Sequence, residues 1–517
     1  LRQRFFDADV GITGANFLIA ETGSTVIVTN EGNGDLTQTL PKIHVVVASL
    51  EKVVPTLEDA SAILRVLARS ATGQEFSSYT TFSNGPRRAE DTDGPEQFHV
   101  VLLDNGRSEL LGTESQEVLR CIRCGACMNH CPVYGAIGGH AYGWVYPGPI
   151  GSVITPTLIG VDEARHLPNA STFCGRCEQV CPMRIPLPKL MRHHRETAFA
   201  EKLTPATERA GLSVWAFFAQ RPALYRMATG MAMRVLGAFG RRRGKFTRLP
   251  GASGWTAHRD FPAPQGRTFQ QQWSARGGRR KAPPETKMDP GRTMSAARDA
   301  VLGRIRQGLG RTGPVDEIRR AELDARLKNH KRGIIPDRSN REPKALVDLF
   351  VEMAEKVQTT VARVTAPEDV PDALGDYLAQ HNLGSDVRMA PDERLDDIPW
   401  ASRPTLTVTR GSSAGDDEVS VTAALAGIAE TGTLMLHSGP ASPTTLNFLP
   451  DDHVVVLRAS QITGAYEDGW DRLRAAGAMP RAVNFITGPS RSGDIEQTLM
   501  LGAHGPRRLH IILIEDV

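Results

Sequence analysis

The sequence predicts an α/β protein in which two copies of one α/β domain lie on either side of a helical module carrying every cysteine. Three observations predict it. All seven cysteines fall between Cys121 and Cys181. A stretch near the start of the chain recurs near its end at a constant offset of 409 residues, with Glu430 answering Glu21 and Pro450 answering Pro41. At both ends, short β-branched runs alternate with segments of helical spacing, the pattern of a sheet covered by helices.

The 517 residues exceed one ordinary domain and suggest about three. With 40% hydrophobic and 23% charged residues the chain belongs to the folded globular class. A net charge of +3 gives no electrostatic case for nucleic acid, so no nucleic-acid partner is expected. An odd number of cysteines confined to one stretch argues against a disulfide framework. It points to metal-bound thiolates in a reducing, cytoplasmic compartment. No run of 18 apolar residues is free of charge, so no transmembrane segment is expected. No signal peptide opens the chain, and its start at Leu1 leads us to expect a fragment or a processed product.

Taken in order, residues 1–112 read as part of an α/β domain. Thr25–Val28, His44–Val47 and Val100–Leu103 are expected to be buried strands, and Leu57–Leu67 has helical spacing. Residues 113–200 hold the cysteines. Residues 201–293 open with helices; Val214–Phe239, interrupted by Arg221, Pro222, Arg226 and Arg234, is expected to be a core-packed amphipathic pair, followed by a basic Arg/Gly/Pro-rich linker. Residues 294–517 begin afresh at Met294, where Ser295 is placed to cap a helix with Val301, Leu302, Ile305 and Leu309 on its apolar face. Lys344–Val357 is a second amphipathic helix, and strand–helix alternation returns over 404–517.

The repeat sets Ile19–Gly23 against Ile428–Gly432, Leu40-Pro41 against Leu449-Pro450 and His44–Val47 against His453–Val456 without a gap. Gly85-Pro86 and His99–Leu102 resemble Gly488-Pro489 and His510–Leu513 after small gaps. Two copies of one domain therefore flank the cysteine module. Glu430 lies 136 residues after Met294, but Glu21 only 20 after Leu1, so the first copy lacks its front half and its sheet is expected to be poorly covered.

The cysteines read Cys121-x-x-Cys124-x-x-Cys127-x-x-x-Cys131-Pro132 and Cys174-x-x-Cys177-x-x-x-Cys181-Pro182. This is the spacing of iron–sulfur ligands in two-cluster ferredoxins, where the last cysteine of each run binds the other cluster. The crossing gives one complete set, Cys121, Cys124, Cys127 and Cys181, for a [4Fe–4S] cluster. The second set is Cys131, Cys174 and Cys177, with Ser171 in the fourth position. Three thiolates suit either a [3Fe–4S] cluster or a [4Fe–4S] cluster with one iron on a serine oxygen, water, a partner or substrate. Structural zinc rarely uses such a run. His130 and His140 stand close by in sequence, as hydrogen-bond donors to a cluster or as ordinary loop residues.

Elsewhere the candidates are fewer. Glu21 and Glu430, each in Ala-Glu-Thr-Gly, could serve as general base or acyl nucleophile, or simply stabilise a turn. Ser490 and Arg491, in Gly488–Glu496, suit an anion at a helix start or a plain capping turn. No Gly-x-Gly-x-x-Gly after a strand and no phosphate-binding lysine loop occurs, so no nucleotide-cofactor fingerprint is present.

The cysteine runs together with Glu21-Thr22-Gly23, Leu40–His44 and Asp104–Arg107 resemble the lactate utilisation iron–sulfur B proteins. Residues 294–517, with Ala429–Thr433, Gly488–Arg491 and His504–Arg507, are similar to the lactate utilisation C proteins, joined near Met294 to the B-like part. The shared repeat then resembles the LUD domain, of the CoA-transferase and ribose-phosphate-isomerase type. The resemblance implies two LUD domains flanking a ferredoxin-like module, in a subunit of a non-NAD, iron–sulfur L-lactate dehydrogenase complex. Electrons from lactate oxidation to pyruvate would leave through the clusters to an unidentified acceptor. It also implies a partner, the cysteine-rich CCG-repeat lactate utilisation protein A. The alternatives are an acyl or CoA transferase using Glu21 or Glu430, and a small-carboxylate-binding regulator.

Overall fold

The computed structural model describes residues 2–248, 256, 259–275, 317–493 and 499–516. The helix expected after Ser295 lies outside them. The chain forms two compact units: residues 1–108 together with 313–517, and residues 109–312.

In the first unit the leading copy of the repeat contributes β1 (Val10–Thr13), β2 (Phe17–Ile19), β3 (Thr25–Thr29), β4 (Ile43–Ser49), β5 (Val53–Val54), the Leu57–Ala71 helix, β6 (Tyr79–Ser83) and β7 (Gln97–Leu103). Thr56 starts that helix by accepting the Asp59 N–H, and Glu58 and Asp59 place negative charge in its first turn. The second copy is preceded by the Pro343–Lys356 helix, β8 (Thr360–Val364), the Val370–Gln380 helix, β9 (Asp386–Met389) and β10 (Thr407–Arg410). It then repeats the first: β11 (Val419–Ala423), β12 (Ala426–Ile428), β13 (Thr433–His437), β14 (Asp452–Arg458), β15 (Ile462–Thr463), the Tyr466–Ala476 helix, β16 (Ala482–Ile486) and β17 (Arg508–Ile514). Thr13 Oγ1 lies 2.8 Å from His44 Nε2, and Thr422 Oγ1 lies 2.8 Å from His453 Nε2. The repeat thus extends to matching side-chain bonds, the first part-buried and the second buried.

Although the copies flank the cysteine module along the chain, in space they form one body. An eight-stranded sheet runs β15-β12-β13-β16-β6-β3-β2-β5. Replacing each strand by its repeat counterpart gives the same order backwards, so a pseudo-twofold axis passes between β16 and β6. Those strands pair antiparallel, with Asn484 opposite Thr81. Asn484 Nδ2 donates to Thr81 Oγ1 at 2.8 Å. Trp470 Nε1 donates to Ser61 Oγ at 2.9 Å, joining two positions that are equivalent in the repeat. The core under this sheet mixes both copies: Val26, Leu64 and Phe82 pack with Ile428, Trp470 and Phe485.

Two parallel sheets complete the unit. The second copy's has six strands, β8-β17-β14-β11-β9-β10. Its strands alternate between two cores, as expected of a sheet covered on both faces. Val455 and Ile511 face Phe350 and Met353 of the Pro343–Lys356 helix, and Val454 and Ile512 face Leu374 and Leu378 of the Val370–Gln380 helix. The first copy's sheet has only β1-β4-β7. Here the expectation of a buried strand is corrected: Val100–Leu103 is a strand, but its side chains are 39–54% exposed. Among the described residues the first copy has no counterpart of those two helices to cover it.

Two arginines and four glutamates pair between the copies in two equivalent arrangements. Arg65 donates to Glu430 at 2.8 and 2.9 Å and to Glu467 at 2.6 and 2.7 Å. Arg474, its repeat counterpart, donates to Glu58 at 2.7 Å and to Glu21 at 2.9 Å. Burial opposes the Arg65 charge, but the two carboxylates hold it above its ordinary range. On the first arrangement both glutamates are buried completely; on the second, Arg474 is partly exposed.

The second unit packs the Gly148–Ile159 and Leu187–Ala200 helices, through Val153, Leu190 and Met191, against Cys177 and Ile185. His194 Nε2 meets the Val153 carbonyl at 3.1 Å, and burial pulls its pKa down to about 4. Two helices follow, Ala206–Ala219 and Pro222–Gly240. They correct the expectation of a core-packed pair, since their only buried residues are Gly230 and Gly240. Apolar periodicity identifies an apolar face without specifying what covers it.

Replacing Arg65 with Ala leaves two carboxylates buried without a counter-charge, and is expected to lower stability by about 3–5 kcal/mol. Arg474→Ala is expected to cost less, because water reaches that arrangement. Urea unfolding of the two variants checks the order. Asp35 supplies a pH test. It is fully buried, with one oxygen accepting from Thr81 at 2.5 Å and the other unpartnered. Burial raises its pKa from 3.8 to about 7, partly opposed by the Thr81 and Gln38 hydrogen bonds. A raised folded-state pKa gives stability that is present below pH 4 and lost as pH rises towards 7. Asp35→Asn is therefore expected to flatten the stability profile between those values, gaining a few kcal/mol at pH 8, as an order of magnitude. Denaturation midpoints at pH 4.5 and 8 measure it.

Candidate iron–sulfur site and neighbouring candidates

The two cysteine runs fold into loops related by a shift of 50 residues. Arg123 and Phe173 both take left-handed backbone angles, φ 58° and 52°. So do Gly125 and Gly175, at φ 75° and 78°, and each starts a one-turn helix, Ala126–Asn129 and Arg176–Gln179. Glycine suits this position because a side chain there would be strained. The turn lets the chain double back so that three side chains point to one place. Cys131 and Cys181 close the runs, each followed by proline, and accept the N–H of Tyr134 at 3.5 Å and of Ile185 at 3.4 Å.

The same shift carries Cys121 onto Ser171, and the match is local as well as numerical. Cys121 Sγ accepts the Arg123 N–H. Ser171 Oγ accepts the Phe173 N–H at 3.1 Å. The hydroxyl thus stands in the second loop where the thiol stands in the first.

Burial raises the pKa of Cys121, and the neighbouring thiols of Cys124 and Cys181 add to it. For Cys127 burial again comes first, followed by Cys121, Cys124 and Cys181. Cys177 is pushed up to about 11 by burial, with Cys127, Cys174 and Cys131 adding. Cys181 thus acts on Cys121 and Cys127 of the first run, and both Cys127 and Cys131 act on Cys177 of the second. Thiols crowded in this way ionise together only around a multivalent cation. The donor set, all sulfur in one group and sulfur with a hydroxyl in the other, fits iron–sulfide clusters. His130, Cys131, Ser171, Thr172, Cys174 and Cys177 line one small recess. Cys124 and Cys174 reach the surface. His130 Nδ1 lies 3.0 Å from the Ala126 carbonyl of its own turn, and His140 is exposed.

Glu21 and Glu430 sit in the hairpin turns between β2 and β3 and between β12 and β13. Gly23 and Gly432 follow them at φ 71° and 65°. At Gly432 a Cβ would come within 2.2 Å of the Ala354 nitrogen, so the residue is required there. Both Glu430 oxygens accept from Arg65. One Glu21 oxygen accepts from Arg474 and the other from the Leu57 N–H. Glu21, Glu58 and His330 also come within 4.8 Å of one another, but Arg474 already supplies the positive charge between the two acids. Sequence reading named the two glutamates and missed their arginines.

Ser490 is buried, donating to the Glu31 carbonyl at 2.6 Å and accepting the Gly505 N–H at 3.3 Å, so its hydroxyl ties two loops together. Arg491 donates to the Val357 carbonyl, while its buried Nε has no partner. It lines a cavity of about 530 Å³ with Asn30, Glu31, Asn33 and Gln74. The helix start expected here is corrected: Arg491–Gly493 is a strand paired antiparallel with Leu499–Leu501, and residues 494–498 lie outside the described residues.

Comparison with known proteins agrees with this division. The LUD domain model matches residues 1–103 and 347–514, the two copies of the repeat. The 4Fe-4S dicluster domain model matches residues 117–185, and the model for the C-terminal region of lactate utilisation protein B matches 191–278. Lactate utilization protein B of Geobacillus kaustophilus is 46% identical over 278 residues, 53% of this chain and 58% of that protein. The Lysinibacillus sphaericus protein of the same name is 47% identical over 272 residues, 52% of this chain and 57% of that one. The chain thus spans somewhat over half the length of these relatives. A DUF162 family structure from Deinococcus radiodurans is 23% identical, with a TM-score of 0.25, over 34% of this chain and 99% of that one. With LUD segments over both copies and a dicluster domain between them, the chain belongs to the LUD domain family.

Proposed function

We propose that this chain is an iron–sulfur electron-transfer component of a cytoplasmic system that oxidises L-lactate to pyruvate. What supports the proposal is the confinement of all seven cysteines to one segment that the 4Fe-4S dicluster domain model matches, in a chain similar to lactate utilization B proteins. Cys121, Cys124, Cys127 and Cys181 would hold one [4Fe–4S] cluster, and Cys131, Cys174 and Cys177 the other. Such clusters, when bound, pass single electrons. Lactate oxidation releases two electrons and two protons.

The chain's own groups set the conditions for this. Backbone N–H groups of Arg123, Tyr134 and Ile185 point at ligand sulfurs and favour the more negative, reduced state. The exposed Cys124 and Cys174 bring an edge of each group to the surface, where a partner can approach. The cysteine-rich CCG-repeat A protein is the partner the resemblance implies. Ser171 Oγ would stand in the fourth position of the second group, where an oxygen ligand would hold iron more weakly than a thiolate and so accommodate both [4Fe–4S] and [3Fe–4S] states.

A transferase reading is weaker, because the carboxylates of Glu21 and Glu430 are engaged by arginines and by backbone. A small carboxylate is better placed at Arg491, whose Nε is unpaired beside a cavity. Calorimetry is expected to give heat with L-lactate that disappears in Arg491→Met; no heat from the unaltered chain excludes that site.

Anaerobically prepared protein, reduced and examined by low-temperature EPR, is expected to show two interacting clusters. Mild oxidation is expected to convert the second to a [3Fe–4S] signal, and Ser171→Cys to suppress that conversion at least tenfold, roughly the effect of one stronger ligand. Silent spectra would remove the redox proposal. Identical oxidation behaviour in Ser171→Cys and the unaltered chain would remove Ser171 alone.

A further inference from the structure

The Ala206–Ala219 and Pro222–Gly240 helices form a hairpin whose large apolar side chains face outward. Trp215 is 61% exposed, Met227 60%, Met231 61% and Phe239 79%. On the second helix Met227, Met231, Val235 and Phe239 recur every four residues, forming a band along one side. None of these residues belongs to a hydrophobic core of the unit.

The charge on the same segment is one-sided. From Leu203 to Arg248 there are nine arginines and lysines and a single acidic residue, Glu208. Arg234 falls one position before Val235 and three after Met231, so positive charge borders the apolar band. A second copy of this chain would bring like charges face to face. A protein partner's interface core is usually depleted of charge, which does not match arginines set beside the band. A surface carrying both negative headgroups and an apolar layer just beneath them matches the whole pattern. Methionine and aromatic side chains enter the acyl boundary, and arginines reach back to the phosphates. No helix among the described residues is long and apolar enough to cross a membrane, which leaves lying on the surface as the mode of contact.

We propose that the 206–240 hairpin docks this protein on an anionic phospholipid surface. The Leu187–Ala200 helix, just before the hairpin, stacks Arg195 on Phe173 at 4.3 Å, and Phe173 precedes Cys174. Docking therefore engages helices continuous with the wall of the second cysteine loop.

The test is sedimentation of the full-length, cluster-loaded chain with vesicles. Phosphatidylglycerol–phosphatidylcholine vesicles are expected to carry the protein down, pure phosphatidylcholine vesicles much less, and half-molar salt is expected to release it. The double variant Arg226→Gln with Arg234→Gln is expected to bind about thirtyfold more weakly, the effect of removing two cations from an anionic surface. Its cluster absorption should stay unchanged, which separates docking from folding and from the electron-transfer proposal. No sedimentation, equal binding to neutral and anionic vesicles, or unchanged binding by the double variant each overturns the proposal. So does a lipid-free dimer abolished by the same variant, which would assign the band to a second copy.

Discussion

The first unit depends on the antiparallel pairing of Tyr79–Ser83 with Ala482–Ile486 across a pseudo-twofold axis. That pairing joins two half-sheets into one of eight strands. It also brings the Leu57–Ala71 and Tyr466–Ala476 helices together, so each arginine reaches glutamates of the other copy. Neither glutamate pair could be buried without that counter-charge, because an isolated buried carboxylate is strongly destabilising. The two copies therefore stabilise one another much as the subunits of an isologous dimer do.

The same arrangement narrows where chemistry can occur. A glutamate whose two oxygens are both engaged, by an arginine alone or by an arginine and a backbone N–H, is a poor nucleophile, because attack would have to break those bonds. The repeats thus read as a scaffold, with Arg491 the exception beside its cavity. In the second unit the thiols are different. Burial and neighbouring thiols disfavour ionisation at Cys121, Cys127 and Cys177, a condition that a multivalent iron–sulfide core would relieve.

Much of this was legible in the sequence. The 409-residue offset predicted matching elements, and the cysteine spacing predicted a dicluster module. Ser171 could be singled out because the spacing left a position open. What could not be read was how the copies meet. Similarity at a fixed offset says that two segments fold alike, not that they share a sheet. The role of Glu21 and Glu430 was hidden for the same reason, since Arg65 lies 365 residues from Glu430. A signal was present nevertheless, because Glu58 and Glu467, and Arg65 and Arg474, keep the same offset. The exposure of Val100–Leu103 and of the 206–240 hairpin was illegible for another reason: an apolar run looks the same whether or not a neighbour covers it.

The claim that redox chemistry resides in the thiols is tested most directly by Mössbauer spectroscopy of anaerobic protein grown on isotopically enriched iron, together with sulfide analysis. The account predicts sulfide-bridged iron in two clusters, one bearing a single iron in an environment distinct from all-sulfur ligation. Protein holding zinc, or iron without inorganic sulfide, would contradict it.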